Sequence, residues 1–86
     1  MAQNVDVIAL FTQAALEVDN RKLVNLTKDT VISTLGMDSV AVMELVSFFE
    51  EKLAVRIPDE DLNHIRTVGD LRDALAKLVP AGTTVA

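Results

Sequence analysis

Leu35-Gly36-Met37-Asp38-Ser39-Val40-Ala41-Val42-Met43-Glu44-Leu45-Val46-Ser47-Phe48-Phe49-Glu50-Glu51-Lys52-Leu53 is the stretch on which the fold turns. Within it Val42, Val46, Phe49 and Leu53 fall at i, i+4, i+7 and i+11, flanked by Leu45, the period of an amphipathic helix with one core-facing stripe. The spacing predicts a helix over 39–54. Two residues at its head, Asp38 and Ser39, both suit a helix N-terminus, because a side-chain oxygen there satisfies N–H groups that the helix leaves unpaired. Ser39 is then either the cap itself or, if Asp38 takes that place, the first helical residue with a free hydroxyl.

The same period recurs outward from this segment. Upstream, Val7, Phe11, Ala14 and Val18, with Ile8 and Ala15 beside them, predict a helix over about 4–18. Downstream, Pro58 followed by Asp59, Glu60 and Asp61 predicts a short helix ending by Arg66, with Pro58 as its first residue and the acids placed against the helix dipole. Thr67 and Asp70 read as a capping box for a helix over 67–79 with Val68, Leu71, Leu75 and Leu78 on its stripe, ended by Pro80 and Gly82. The connection 19–38 is long for a compact domain, and Leu23, Leu26, Val31, Ile32 and Leu35 are expected to pin it to the core. The expectation is an all-α four-helix bundle with three longer helices, a short third helix and a long ordered loop between the first two. It is a single domain over 1–86, with its core at about 5–79 and a flexible tail over 80–86.

Length and composition agree with one small core. The 86 residues hold 50% apolar side chains but only 3% aromatic and no Cys, so the core is aliphatic and has no disulfide support. Eight basic residues face thirteen acidic ones. Residues 38–61 hold seven acids and two bases, while the rest of the chain balances at six against six. A net charge of −5 repels phosphate backbones, and the near absence of aromatic platforms further argues against nucleic-acid binding. No apolar run approaches the roughly 20 residues of a membrane span, and a cytoplasmic monomer is expected.

Hydrolytic chemistry at Ser39 finds no support. A serine hydroxyl is inert without a base, no G-x-S-x-G elbow is present, and the one histidine, His64, lies 25 residues away on another element. Asp59-Glu60-Asp61-Leu62-Asn63 begins like a calcium loop, but His64 stands where the turn needs glycine and Asp70 where the last ligand is Glu. No metal site is expected.

Leu35-Gly36-Met37-Asp38-Ser39-Val40, Glu44-Leu45-Val46, Ile57-Pro58-Asp59-Glu60-Asp61-Leu62 and Thr67-Val68-Gly69-Asp70-Leu71, taken together at this spacing, closely resemble an acyl carrier protein over residues 5–79. The resemblance implies that Ser39 receives 4′-phosphopantetheine from coenzyme A through a separate phosphopantetheinyl transferase. It also implies that the chain is a shuttle for thioester-bound acyl groups and not an enzyme.

Opposite the core stripe, Val40, Ser47 and Glu51 line up at helical spacing with Met43 and Glu44 adjoining, an apolar centre with a charged rim. By resemblance, Asp38, Val40, Met43, Glu44, Ser47, Glu50 and Glu51 form the face that docks basic patches on acyl-transfer, ketosynthase or related enzymes. Three departures weaken its first half. Val40 stands where Leu is usual, Ala41 where an acid is common, and Ser33-Thr34 where the family is often acidic. They suggest a specialised carrier of polyketide or other natural-product assembly over the housekeeping carrier of fatty-acid synthesis. Peptidyl carriers more often have a neutral residue at the position of Asp38. An unmodified helical adaptor using the same acidic face is the alternative from another class.

Overall fold

Each of the three long helices begins where a side-chain oxygen takes an unpaired N–H group. Asp6 accepts from Ala9 N at 3.1 Å and starts α1 at Val7–Asp19. Asp38 accepts from Ala41 N at 2.8 Å and starts α2 at Ser39–Leu53. Thr67 Oγ1 accepts from Asp70 N at 3.1 Å while Asp70 returns the bond to Thr67 N, the reciprocal box that starts α4 at Val68–Leu78. The short α3 occupies Asp59–Leu62. It is briefer than the expected 58–66, and Pro58 precedes it in extended conformation, φ −61° and ψ 148°, as the cap and not as the first helical residue. The computed structural model describes residues 3–80 and 82–86.

The apolar stripes meet in one core. Val7 and Phe11 of α1, Leu45 and Phe49 of α2, and Val68, Leu71 and Leu75 of α4 are its largest fully buried side chains. Phe11 and Phe49 pack tilted, with ring centroids 6.2 Å apart. Among the described residues no polar or charged side chain is buried, so the interior is as aliphatic as the composition requires. Val18, Val42, Leu53 and Leu78, expected on the stripes, lie half-buried at the margin, while Ala14, Ala15, Ala41 and Ala74 are buried. Small side chains there let the helix backbones approach.

The connection after α1 is ordered. Ile32 is buried in a 3-10 turn over Ile32–Leu35, with Leu23, Leu26 and Leu35 packed against the core. Val31 does not pin the segment through its side chain, which is 40% exposed; its backbone does so, bridging antiparallel to Thr67. The tether extends from Ile32 N to Arg66 O at 2.9 Å, through Val68 N to Thr30 O at 3.0 Å, to Gly69 N and Lys28 O at 2.7 Å.

At the chain ends the structure differs from an all-helical reading. Gln3–Val5 forms β1 and Thr83–Val85 forms β2, a parallel pair matching Val5 with Val85. Ala86 N donates to Val5 O at 2.8 Å and Val7 N to Ala86 O at 3.0 Å. The first helix therefore starts at residue 7 and not at 4, and residues 83–85, expected in a flexible tail, form a strand whose Val85 leans on the core.

Candidate functional site

The head of α2 resolves the two readings of Ser39. Asp38 has extended backbone angles, φ −78° and ψ 176°, and its carboxylate holds Ala41 N at 2.8 Å while its carbonyl accepts from Val42 N at 3.0 Å. Asp38 is the cap. Ser39 is the first helical residue; its side chain is exposed and its hydroxyl has no hydrogen-bond partner among the described residues. The N–H groups of Ser39 and Val40 likewise find no acceptor among the described residues.

Two grooves share Ser39 as a lining residue. One, of about 610 Å³, runs along the outer face of α2 past Val40, Met43, Glu44, Ser47 and Glu51. The other, of about 670 Å³, lies between the 3-10 turn, α2 and the chain leading into α4, lined by Val31, Ile32, Met37, Val42, Ile65 and Arg66. Ser39 therefore stands on the crest between an outer and an inner apolar channel.

Of the residues expected to form a docking face, the structure brings Val40, Met43, Glu44, Ser47 and Glu51 together with Ser39 in the outer groove. Val40 is 66% and Met43 56% exposed, so the apolar centre of that face is open. Asp38 lies beside it, at the cap. Glu50 does not line that groove: it is half-buried, its carboxylate accepts the Ile57 N–H at 2.8 Å, and it lines a separate hollow with Ser47 and Glu51. Val18 and Phe48 line the groove in its place. Sequence reading assigned Val18 to the core stripe; its place in the last turn of α1, where that helix runs out beside α2, was the available signal.

The donor set at the head of α2 fits a phosphate ester on Ser39. A 15-residue helix directs its positive dipole end and two free N–H groups there, an arrangement worth about 0.3–1 kcal/mol to an anion. The Asp38 carboxylate is an adjacent opposing charge, and the bond to Ala41 N turns it toward the helix. His64 is exposed on the turn after α3, and among the described residues no three or more His, Cys, Asp or Glu side chains converge as a metal-ligand set. Among the described residues no helix is long and apolar enough to cross a membrane.

Known proteins resemble this chain along most of its length. The family profile described as the phosphopantetheine attachment site matches residues 9–75. An acyl carrier protein of Rhodococcus erythropolis is 35% identical over 78 residues, covering 90% of this chain and 86% of that protein. An acyl carrier protein of Syntrophobacter fumaroxidans is 55% identical over 47 residues, and there the match spans 58% of the relative's length. The crystal structure of an acyl carrier protein from Thermotoga maritima superposes with a TM-score of 0.76 at 39% identity, covering 83% of this chain and 84% of that one.

Proposed function

Because the chain belongs to the acyl carrier protein family, whose members are carriers and not enzymes and bear a covalently attached 4′-phosphopantetheine, we propose that Ser39 is the residue that bears it here. When bound, the group supplies a swinging arm whose terminal thiol holds acyl chains as thioesters. The observation that carries the reading is the division of labour at the head of α2: Asp38 is occupied as the cap, and the adjacent Ser39 hydroxyl is exposed and unpartnered. His64 lines neither groove at Ser39, and on this reading the hydroxyl proton leaves to a group on the phosphopantetheinyl transferase.

The same reading gives the outer groove a purpose. Val40 and Met43 form an apolar floor beside Ser39, with Ser47 adjoining and Asp38, Glu44 and Glu51 as its acidic rim, suited to transient docking of enzymes that present a basic patch. Departures at Val40 and Ala41 from the family's usual Leu and acid favour a carrier serving its own set of biosynthetic enzymes, of the polyketide kind, over the general fatty-acid carrier.

Incubation with coenzyme A and a promiscuous phosphopantetheinyl transferase, followed by intact mass measurement, tests the assignment. One adduct is expected on the wild type and none on Ser39→Ala with an unchanged fold. No adduct on well-folded wild type overturns it and favours the unmodified adaptor; an adduct that persists on Ser39→Ala overturns the assignment to that residue.

A further inference from the structure

The peptide that delivers Ser39 is held from a second place in the chain. α1 ends with Asn20 in the left-handed conformation, φ 49°, and Arg21 N returns to Ala15 O at 3.2 Å, so the backbone of Arg21 is locked to the helix end. From there its guanidinium crosses fifteen residues of sequence and donates from Nη2 to the carbonyl of Gly36 at 3.1 Å. Its Nε donates to Asp19 Oδ2 at 3.0 Å, which orients the fork.

Gly36 is the receiving end for a reason. It closes the 3-10 turn at φ +80°, and a Cβ there would stand 3.1 Å from Arg21 Nη1. Two residues later Asp38 is fixed by Ala41 N. The run Gly36-Met37-Asp38 is thus clamped at both ends, by Arg21 in front and by the α2 cap behind, with Met37 buried between them.

We propose that Arg21 is a positioning residue for phosphopantetheine transfer: through Gly36, and oriented by Asp19, it holds the peptide that presents Ser39 to the transferase. The proposal rests on the reading of Ser39 as the attachment site. The one histidine, His64, lines neither groove at Ser39, and the chain's contribution on this proposal is where the hydroxyl stands and how little freedom it must lose when engaged. An exposed ion pair such as Asp19–Arg21 adds little to global stability, so the effect belongs to the transfer and not to unfolding.

The test compares wild type, Arg21→Gln, Arg21→Lys and Asp19→Asn in time courses of modification by a promiscuous transferase with coenzyme A, read by intact mass over a range of carrier concentrations. Arg21→Gln is expected to lower kcat/KM about fivefold, the loss of about one hydrogen bond's worth of pre-organisation in the free carrier. Arg21→Lys, which keeps the charge and a donor, recovers part of it, and Asp19→Asn shows a smaller loss in the same direction. Amide hydrogen exchange at Met37 to Ser39 in the free carrier is expected to quicken in Arg21→Gln. Wild-type kcat/KM and exchange in that variant overturn the proposal. So does a loss confined to KM that disappears at high salt, which marks Arg21 as a direct docking contact. If the wild type itself takes no adduct, the reading of Ser39 fails first; if the wild type is modified and Arg21→Gln keeps pace with it, only this inference fails.

Discussion

The Glu50 carboxylate accepts the backbone N–H of Ile57 at 2.8 Å, spanning the reversal in which Ala54 turns left-handed, φ 54°, and Ile57 enters the core at 4% exposure. One of the two consecutive acids at the end of α2 is therefore committed to the fold, while Glu51 faces the outer groove. Glu50→Ala removes a charge-assisted acceptor from a half-buried N–H and is expected to cost about 1.5 kcal/mol. Glu51→Ala is expected to stay within about 0.5 kcal/mol of wild type. Urea denaturation of the two variants checks this; coincident midpoints contradict it.

Gly69 lies inside the first turn of α4. Its N–H donates to Lys28 O at 2.7 Å, and a Cβ there would lie 2.9 Å from that same oxygen. Helix propensity favours alanine over glycine by about 1 kcal/mol. Forcing the loop backbone away from α4 costs more, about 1–3 kcal/mol for overpacking. Gly69→Ala is therefore expected to lower Tm by several degrees, on the scale of about 4–8 °C per kcal/mol for a domain of this size. A raised Tm indicates that the loop yields at no cost.

The contrast between Val46 and Gly69 marks what the sequence discloses. Val46, Phe49, Leu71 and Leu75 follow a helical period, and periodicity is local, so their helices and buried faces are legible without a structure. So is the Thr67 cap, which depends on residues three positions apart, while at the head of α2 the sequence offers both Asp38 and Ser39 and leaves the choice open. The tether from Lys28–Ile32 to Arg66–Gly69 is non-local backbone pairing with no repeating side-chain pattern, and nothing in residues 28–32 announces it. The three-residue strands Gln3–Val5 and Thr83–Val85 are too short to show alternation. At the site, the placement of Val40, Met43, Glu44, Ser47 and Glu51 on one helix face was legible. The engagement of Glu50 by Ile57 and the reach of Arg21 to Gly36 were not, because each joins a side chain to a backbone atom with no residue type of its own to signal it.

Asp70 gives the fold a titratable joint. Its carboxylate accepts from Thr67 N at 3.1 Å and Arg66 N at 3.0 Å, and these two bonds hold its pKa below the ordinary value of 3.8. A carboxyl that is more acidic in the folded chain than in the unfolded one stabilises the fold fully above its ordinary value, and that contribution is lost as pH falls through the lowered one. Asp70→Asn is uncharged at every pH and lacks the contribution throughout. Thermal melts from about pH 6 down to about pH 2.5 are therefore expected to converge at the acid end, with the wild type falling more steeply below about pH 4. Parallel curves contradict the assignment.

Glu44 sits on the outer face of α2 between the Ser39 end and Glu51, beside Val40 and Met43, whose side chains are open to solvent. If the groove receives a basic surface, its acids act on the rate of encounter and its apolar floor on the lifetime of the complex. Glu44→Lys reverses one rim charge. With exposed pairs worth about 0.2–1 kcal/mol each, turnover by a carrier-dependent acyltransferase is expected to fall roughly two- to tenfold at low salt. The same change flattens the dependence of rate on ionic strength, since the attraction that salt screens has been removed. Met43→Ala is expected to slow turnover while leaving the salt dependence as steep as in wild type, because it removes apolar contact and no charge. Such a split separates a docking face from a merely solvated one: an acidic helix surface with no partner leaves both variants at the wild-type rate at every salt concentration.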